Sequence, residues 1–236
     1  MIERSNDQNT CMNCTKKGFS LICNLSYGEL ETLEKTRTIV NYKTGETIYK
    51  EGLNPFGLIC LNSGKVKIVI SGEKEKEIIV ELKKPVDFLG FTEMMADEKY
   101  TTRAVALVDS SVCIIDKSNF LKVLQGNPEL SMKVMAFLAK ELSLAHRKTI
   151  ILSQKQLKAR LAEALLELFN SYGVDNSDGK TLNTLLRRDD LSSLSGMTIA
   201  SASRTLAEFK REGIISLKGR KIKIIDKKKL EEICSN

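Results

Sequence analysis

The chain has 236 residues, 42% of them hydrophobic and 28% charged, and carries a formal net charge of +7. That balance suits a soluble protein of one large domain or two modest ones. No run of about 18 apolar residues is present to cross a membrane, and the polar opening MIERSNDQNTC lacks the apolar core of a secretion signal, so a cytoplasmic protein is expected.

Residues 1–20 read as a polar arm that bears cysteines. Helical spacing follows from Leu21 to Lys35, with Leu21, Leu25, Leu30 and Leu33 on one face. Ser26 and Glu29 have the separation of a capping box. From Thr38 to about Lys117 the pattern changes to short β-rich runs (TIVNY, ETIYKEG, GLICLNSG, KVKIVISG, EIIVELK, DFLGF, TRAVALVD, SVCIID) with glycines at their edges. Many short strands with turn residues between them predict a sandwich or roll.

At Asn127-Pro128 the period turns helical, with Asn127 as N-cap and Pro128 in the first helical position. The run continues to about Ser153 without glycine or proline. Met135, Leu138, Leu142, Ala145, Thr149 and Leu152 repeat at alternating spacings of three and four, an a/d seam that predicts two-stranded pairing and hence a homodimer. Lys140, Glu141, Arg147 and Lys148 flank the stripe, which is narrower than a helix buried on its own domain needs. A further helix, KARLAEALLELFNSYG, stops at Gly173, and residues 174–186 read as a polar connection. The expected plan is an arm over 1–20, a β-roll over 21–126, a pairing helix over 127–154 and a second domain over 155–236.

In that second domain, Leu191 and Leu194 form the inner face of a short helix, and Gly196 stands where a tight turn calls for positive φ. Thr198 is placed to cap a following helix whose inner face is Ala202, Leu206 and Phe209, with Ala202 small enough for a close crossing. This is a helix-turn-helix, and its second helix reads as the recognition helix. Its outer face carries Ile199, Ala200, Ser203 and Arg204. Arg204 suits guanine or phosphate, Ser203 a base edge or phosphate, and Thr198 and Ser201 at the helix start suit phosphate. IISLKGRKIKIID then reads as a two-stranded wing with Lys218 and Arg220 at its tip. Basic residues crowd this region from Arg187 to Lys229, as a polyanion-binding surface requires. A single histidine, and the lack of a Ser/His/Asp set, P-loop or HExxH, argue against an enzyme.

The segments YKTGETIYKEG (42–52), NSGKVKI (62–68), DFLGF (87–91), the long helix after NPEL, and LSSLSGMTIASASRTLAEFKREGII (191–215) resemble the Crp/Fnr superfamily of transcription regulators over nearly the whole chain. The resemblance implies an α+β fold with a double-stranded β-helix (jelly-roll) sensor domain of cyclic-nucleotide-binding type, a dimerisation helix and a winged helix-turn-helix. It also implies a palindromic operator and RNA polymerase as partners. Cyclic-AMP-binding members hold the nucleotide with a Glu after the glycine of DFLG and an Arg-Ser pair beyond it. Phe91 and Tyr100-Thr101 stand at those places here, so cyclic AMP is not the expected effector. A phosphate without its arginine loses a bond of about 1.5–3 kcal/mol. Many members carry Glu where this chain has Ala200, so the usual half-site is not assumed.

Members of the Fnr branch hold a [4Fe-4S] cluster with N-terminal cysteines and one cysteine of a late strand. Cys11, Cys14, Cys23 and Cys113 provide the four thiolates such a cluster needs, although Cys23 lies further from Cys14 than in the best-known members and within the first amphipathic segment. Cys11 and Cys14 also suit zinc or a redox-switchable disulfide. A haem on His146, and regulation by abundance with no effector, complete the alternatives. Cys60 reads as a buried strand residue and Cys234 as incidental.

Overall fold

The computed structural model describes residues 25–72, 77–174, 178–184 and 186–235. It divides into two compact units, one ending at Leu142 and one running from Ser143 that also takes in Glu77–Ile79.

The first unit opens with α1 (Tyr27–Glu34), where the Ser26 and Glu29 box forms as expected. Glu29 Oε2 accepts from the Ser26 amide at 2.6 Å, and Ser26 Oγ accepts from the Glu29 amide at 3.4 Å. The strands are β1 (Thr38–Tyr42), β2 (Thr47–Tyr49), β3 (Gly57–Ser63), β4 (Val66–Ser71), β5 (Glu77–Lys83), β6 (Phe88–Leu89), β7 (Arg103–Ala106) and β8 (Ser110–Asp116). They form two four-stranded sheets, β1-β8-β3-β6 and β2-β7-β4-β5. Apart from β4 and β5, neighbours in one sheet, successive strands fall in alternate sheets, which is how a roll is wound.

Strand alternation sorts the core into two layers. Ile59, Leu61 and Val112 join Ile48, Val66, Ile68 and Leu89 in one cluster. Leu58 and Ile115 point the other way and join Leu25, Leu30 and Leu33 of the α1 region with Phe88, Phe91 and Phe120 in the second cluster.

One helix of this unit departs from the strand reading, and a second fills 117–126, beyond the strand runs. In DFLGF only Phe88 and Leu89 are strand; α2 (Phe91–Ala96) starts directly afterwards. Gly90 makes the corner at φ +62, and a Cβ there would lie 2.3 Å from Tyr100 Cε1. The corner is therefore glycine for both conformation and space. After β8, α3 (Lys117–Gly126) is capped by Asp116, whose side chain accepts from the Asn119 amide. The long helix α4 (Pro128–Gln154) begins at the expected Asn127-Pro128, with Asn127 Oδ1 accepting from the Leu130 amide at 2.9 Å.

The second unit holds the end of α4, then α5 (Leu157–Tyr172), α6 (Arg188–Leu194), α7 (Ile199–Arg211), β9 (Ile215–Lys218), β10 (Lys221–Ile224) and α8 (Lys227–Ser235). Leu161, Leu165, Leu191, Leu206, Phe209, Ile214 and Leu230 are buried. The 174–186 stretch is more than a connection: the Leu182 amide donates to the Ile222 carbonyl at 2.8 Å, and the Ile224 amide to the Lys180 carbonyl at 3.0 Å. It thereby adds backbone to the free edge of β10. The lysine-rich tail also forms a helix, α8, which docks through the buried Leu230.

Candidate functional site

The turn between α6 and α7 is set by local chemistry. Gly196 adopts φ +60, and a Cβ on it would stand 2.6 Å from Leu152 Cδ2. Thr198 caps α7, its Oγ1 accepting from the Ser201 amide at 3.1 Å. Ala202, Leu206 and Phe209 are almost fully buried, as their spacing predicts. The opposite face is open: Ile199, Ala200 and Arg204 are exposed, and Ser201 and Ser203 are half-buried at its margin. At the wing, Lys218 pairs with Lys221 across a turn in which Gly219 takes φ +60, and Lys218 and Arg220 are exposed.

The cations of this unit fall into two groups. Lys158 on α5 bonds Glu208 at 2.9 Å and Glu212 at 3.1 Å, tying α7 to α5. That bond holds the Glu208 carboxyl below its usual range. Lys155 bonds Glu163 at 2.6 Å, and Arg160 donates to the Lys155 carbonyl at 2.8 Å. Arg204, Lys218 and Arg220, by contrast, form no ion pair among the described residues. Cations left without carboxylates on an exposed helix and an exposed turn are available to phosphates and base edges. Lys158 and the Leu152 contact under Gly196 are not legible in the sequence, because spacing along one helix does not report a partner on another.

Along α4, the six stripe residues separate. Met135 and Leu142 are 54% and 58% exposed, and Ala145 and Thr149 are exposed with them. Leu138 is half-buried and packs against the core that holds Phe88 and Phe91, while Leu152 covers Gly196. Met132 and Ile150, outside the stripe, are 62% and 52% exposed. His146 lies exposed on the same helix.

Of the four cysteines read as a ligand set, Cys11, Cys14 and Cys23 lie outside the described residues. Cys113 is half-buried on β8 and faces the helix-side core. Leu25, two positions beyond Cys23 in the chain, belongs to that same core. Arg37 lies beside Cys113: burial opposes its charge, but Glu34 at 2.9 Å and Cys113 raise its pKa above the usual guanidinium value. Cys60 is half-buried and sits directly across from Cys113 in the β3–β8 register. Burial pushes the Cys234 thiol up to about 11, which leaves it inert at neutral pH.

The segment carrying Gly90 and Phe91 borders a cavity of about 70 Å³. Three acids line it, Glu81, Glu93 and Glu141, against a single cation, Lys83. Lys83 lies 2.5 Å from Glu81 and 3.6 Å from Glu141. Tyr100 stacks on Tyr49 with ring centroids 3.9 Å apart, and Thr101 donates to Glu93 at 3.1 Å.

Residues 39–127 match the family model of the cyclic nucleotide-binding domain, and residues 159–233 that of the Crp-like helix-turn-helix domain. The chain is 29% identical to electron transport regulator A of Shewanella oneidensis, over 96% of this chain and 90% of that protein. It is 26% identical to the fumarate and nitrate reduction regulatory protein of Vibrio cholerae, over 94% and 89%. Among solved structures, FixK2 from Bradyrhizobium japonicum shares the fold with a TM-score of 0.75 at 23% identity, over 84% of this chain and 96% of that one. Among the described residues, no helix is long and apolar enough to cross a membrane. A sensor roll of the nucleotide-binding type followed by a Crp-like helix-turn-helix, shared over nearly full length with regulators of this kind, places the chain in the Crp/Fnr family of DNA-binding transcription regulators, not among enzymes.

Proposed function

We propose that two copies pair along the exposed side of α4 and present their α7 helices to successive major grooves of a palindromic operator, about 34 Å apart. The observation that carries this reading is the split character of α7, with a buried face of Ala202, Leu206 and Phe209 and an open face bearing Arg204, which has no ion pair among the described residues. Arg204 and Ser203 read base edges, Ala200 meets a thymine methyl, and Ile199 adds apolar contact. Thr198 and Ser201 at the start of α7, with Lys218 and Arg220 on the wing, hold phosphates. Met135, Leu142, Ala145 and Thr149 form the centre of the pairing face, with Leu138 and Leu152 at its edge against their own units. RNA polymerase is the expected further partner at the promoter. Selection from random duplexes followed by gel shift tests the reading. A two-fold symmetric consensus bound by a dimer in sedimentation supports it, and a monomer that binds every duplex alike overturns it.

The sensed signal on this reading is redox or oxygen, received at Cys11, Cys14, Cys23 and Cys113. The donor set suits a [4Fe-4S] group, since four thiolates around it leave a net negative charge and Arg37 offers a cation at Cys113. Such a group would supply an oxygen-labile centre whose loss alters how the chain pairs. Leu25, two positions after Cys23 in the chain, packs in the same core as Cys113, which supports this assignment. Iron and sulfide of about four each per chain after anaerobic purification are expected; a colourless protein without either favours a thiol-based or effector-independent regulator. Cyclic AMP is not the effector on this reading: an anionic phosphate at the Gly90–Phe91 cavity meets three carboxylates and a lysine already engaged by two of them. Titration calorimetry with cyclic AMP should give no binding heat.

A further inference from the structure

We propose that Cys60 and Cys113 form a redox-active dithiol within the roll, closed to a cross-strand disulfide by peroxides and reopened by thiols. The two residues are direct partners in the β3–β8 register. Opposed residues of an antiparallel pair hold their Cα atoms about 4.5–5.5 Å apart, inside the range of about 4.4–6.8 Å that a disulfide spans. Both strands are interior to their sheet, β8 between β1 and β3, and β3 between β8 and β6. Pairing on both sides fixes the register, so the thiols stay opposed. Both cysteines lie on the face toward the helix-side core, and both are half-buried, hence within reach of a small oxidant. In the reduced protein the Cys60 thiol donates to the Val86 carbonyl at 3.8 Å.

The chemistry closes in two steps. Peroxide converts one thiol to a sulfenic acid and releases water; the opposed thiol attacks that sulfur, forms the S–S bond and expels a second water. A thiol reductant such as glutathione reverses this by exchange, to which bridges that are strained or exposed are the most susceptible. Cys60 is thus a resolving residue that spares Cys113 from irreversible oxidation. Where Cys113 also serves as a cluster ligand, a role that rests on the reading above, the bridge withdraws it from that set until reduction.

Tryptic mapping decides the matter, because residues 51–65 and 104–117 are separate tryptic peptides with one cysteine each. The full chain is reduced, exposed to stoichiometric hydrogen peroxide, alkylated and digested without reductant. The two peptides are expected joined, two hydrogens lighter than their sum, and separate again after glutathione. The link should vanish in C60S and C113S and persist in a C11S/C14S variant, which removes two of the proposed cluster ligands. In C60S given at least two equivalents of peroxide per thiol, the 104–117 peptide should instead gain two oxygens as sulfinic acid. Peptides that emerge separately from the wild-type chain, or Cys113 joined to a different cysteine, overturn the proposal. Because mapping of C11S/C14S is independent of iron and sulfide content, loss of the cluster reading and loss of this one give different results.

Discussion

On α7 the residues that face solvent and those that face the core come from one short stretch, so one helical period settles both. In the roll, Cys60 and Cys113 meet only because β3 and β8 pair, and Lys83 meets Glu141 only because β5 and α4 come together. The first region carries its chemistry in local order and the second in long-range register. A substitution on α7 should therefore act as the helix wheel predicts, whereas one in the roll acts through whichever distant strand or helix lies opposite.

The largest effect is expected at Phe209, which is fully buried in the second unit. Phe209→Ala leaves a cavity worth about 3–5 kcal/mol, read by denaturant unfolding, and should abolish operator binding. A much smaller loss would mean that α7 does not rest on its inner face, and the local account would fail. Next comes Arg204→Ala, expected to weaken operator binding by about 1–3 kcal/mol while leaving unfolding unchanged. Equal loss on operator and random duplex would move Arg204 from base reading to phosphate holding.

Gly196→Ala tests whether the turn is as local as it looks. Positive φ costs a non-glycine residue about 1–3 kcal/mol, and the added methyl also meets Leu152. If the contact matters, pairing Gly196→Ala with Leu152→Ala should destabilise less than the sum of the single changes. Strict additivity would leave φ alone responsible and make the turn a matter of glycine only.

These contrasts bear on what the amino-acid order disclosed. The Ser26 box, the start at Asn127, the Thr198 cap and the buried triad of α7 were legible because each depends on neighbours within four residues. Helices α2 and α3 were not, since six residues between two strands and ten between a strand and the long helix give at most a few turns of period, and Phe91 looked like one more strand residue. Helix α8 begins with three lysines and buries only Leu230, so it passed for a basic tail. The α4 stripe was periodic, but period alone does not say what covers a face, and Leu138 and Leu152 proved to be covered by their own units. The acids around Lys83 and the Cys60–Cys113 opposition depend on register that no single segment encodes.

The smallest effect concerns a surface contact of the roll that long-range order alone creates. Asp109 follows β7, and its carboxyl is held at about 2 by a hydrogen bond from Lys43, then by the Thr44 amide and hydroxyl. The ordinary value is 3.8. A depressed carboxylate stabilises the fold above its unfolded pKa and loses that contribution as pH falls toward its folded one. Asp109→Asn should therefore lower stability slightly at neutral pH, with the difference from the parent shrinking through the window from 3.8 down to about 2. The carboxylate is fully exposed, so screening keeps the effect small and added salt should reduce it further. A difference that persists unchanged below pH 2 would trace to lost packing or lost neutral hydrogen bonds, and the ion pair between Lys43 and Asp109 would then contribute nothing to joining these loops.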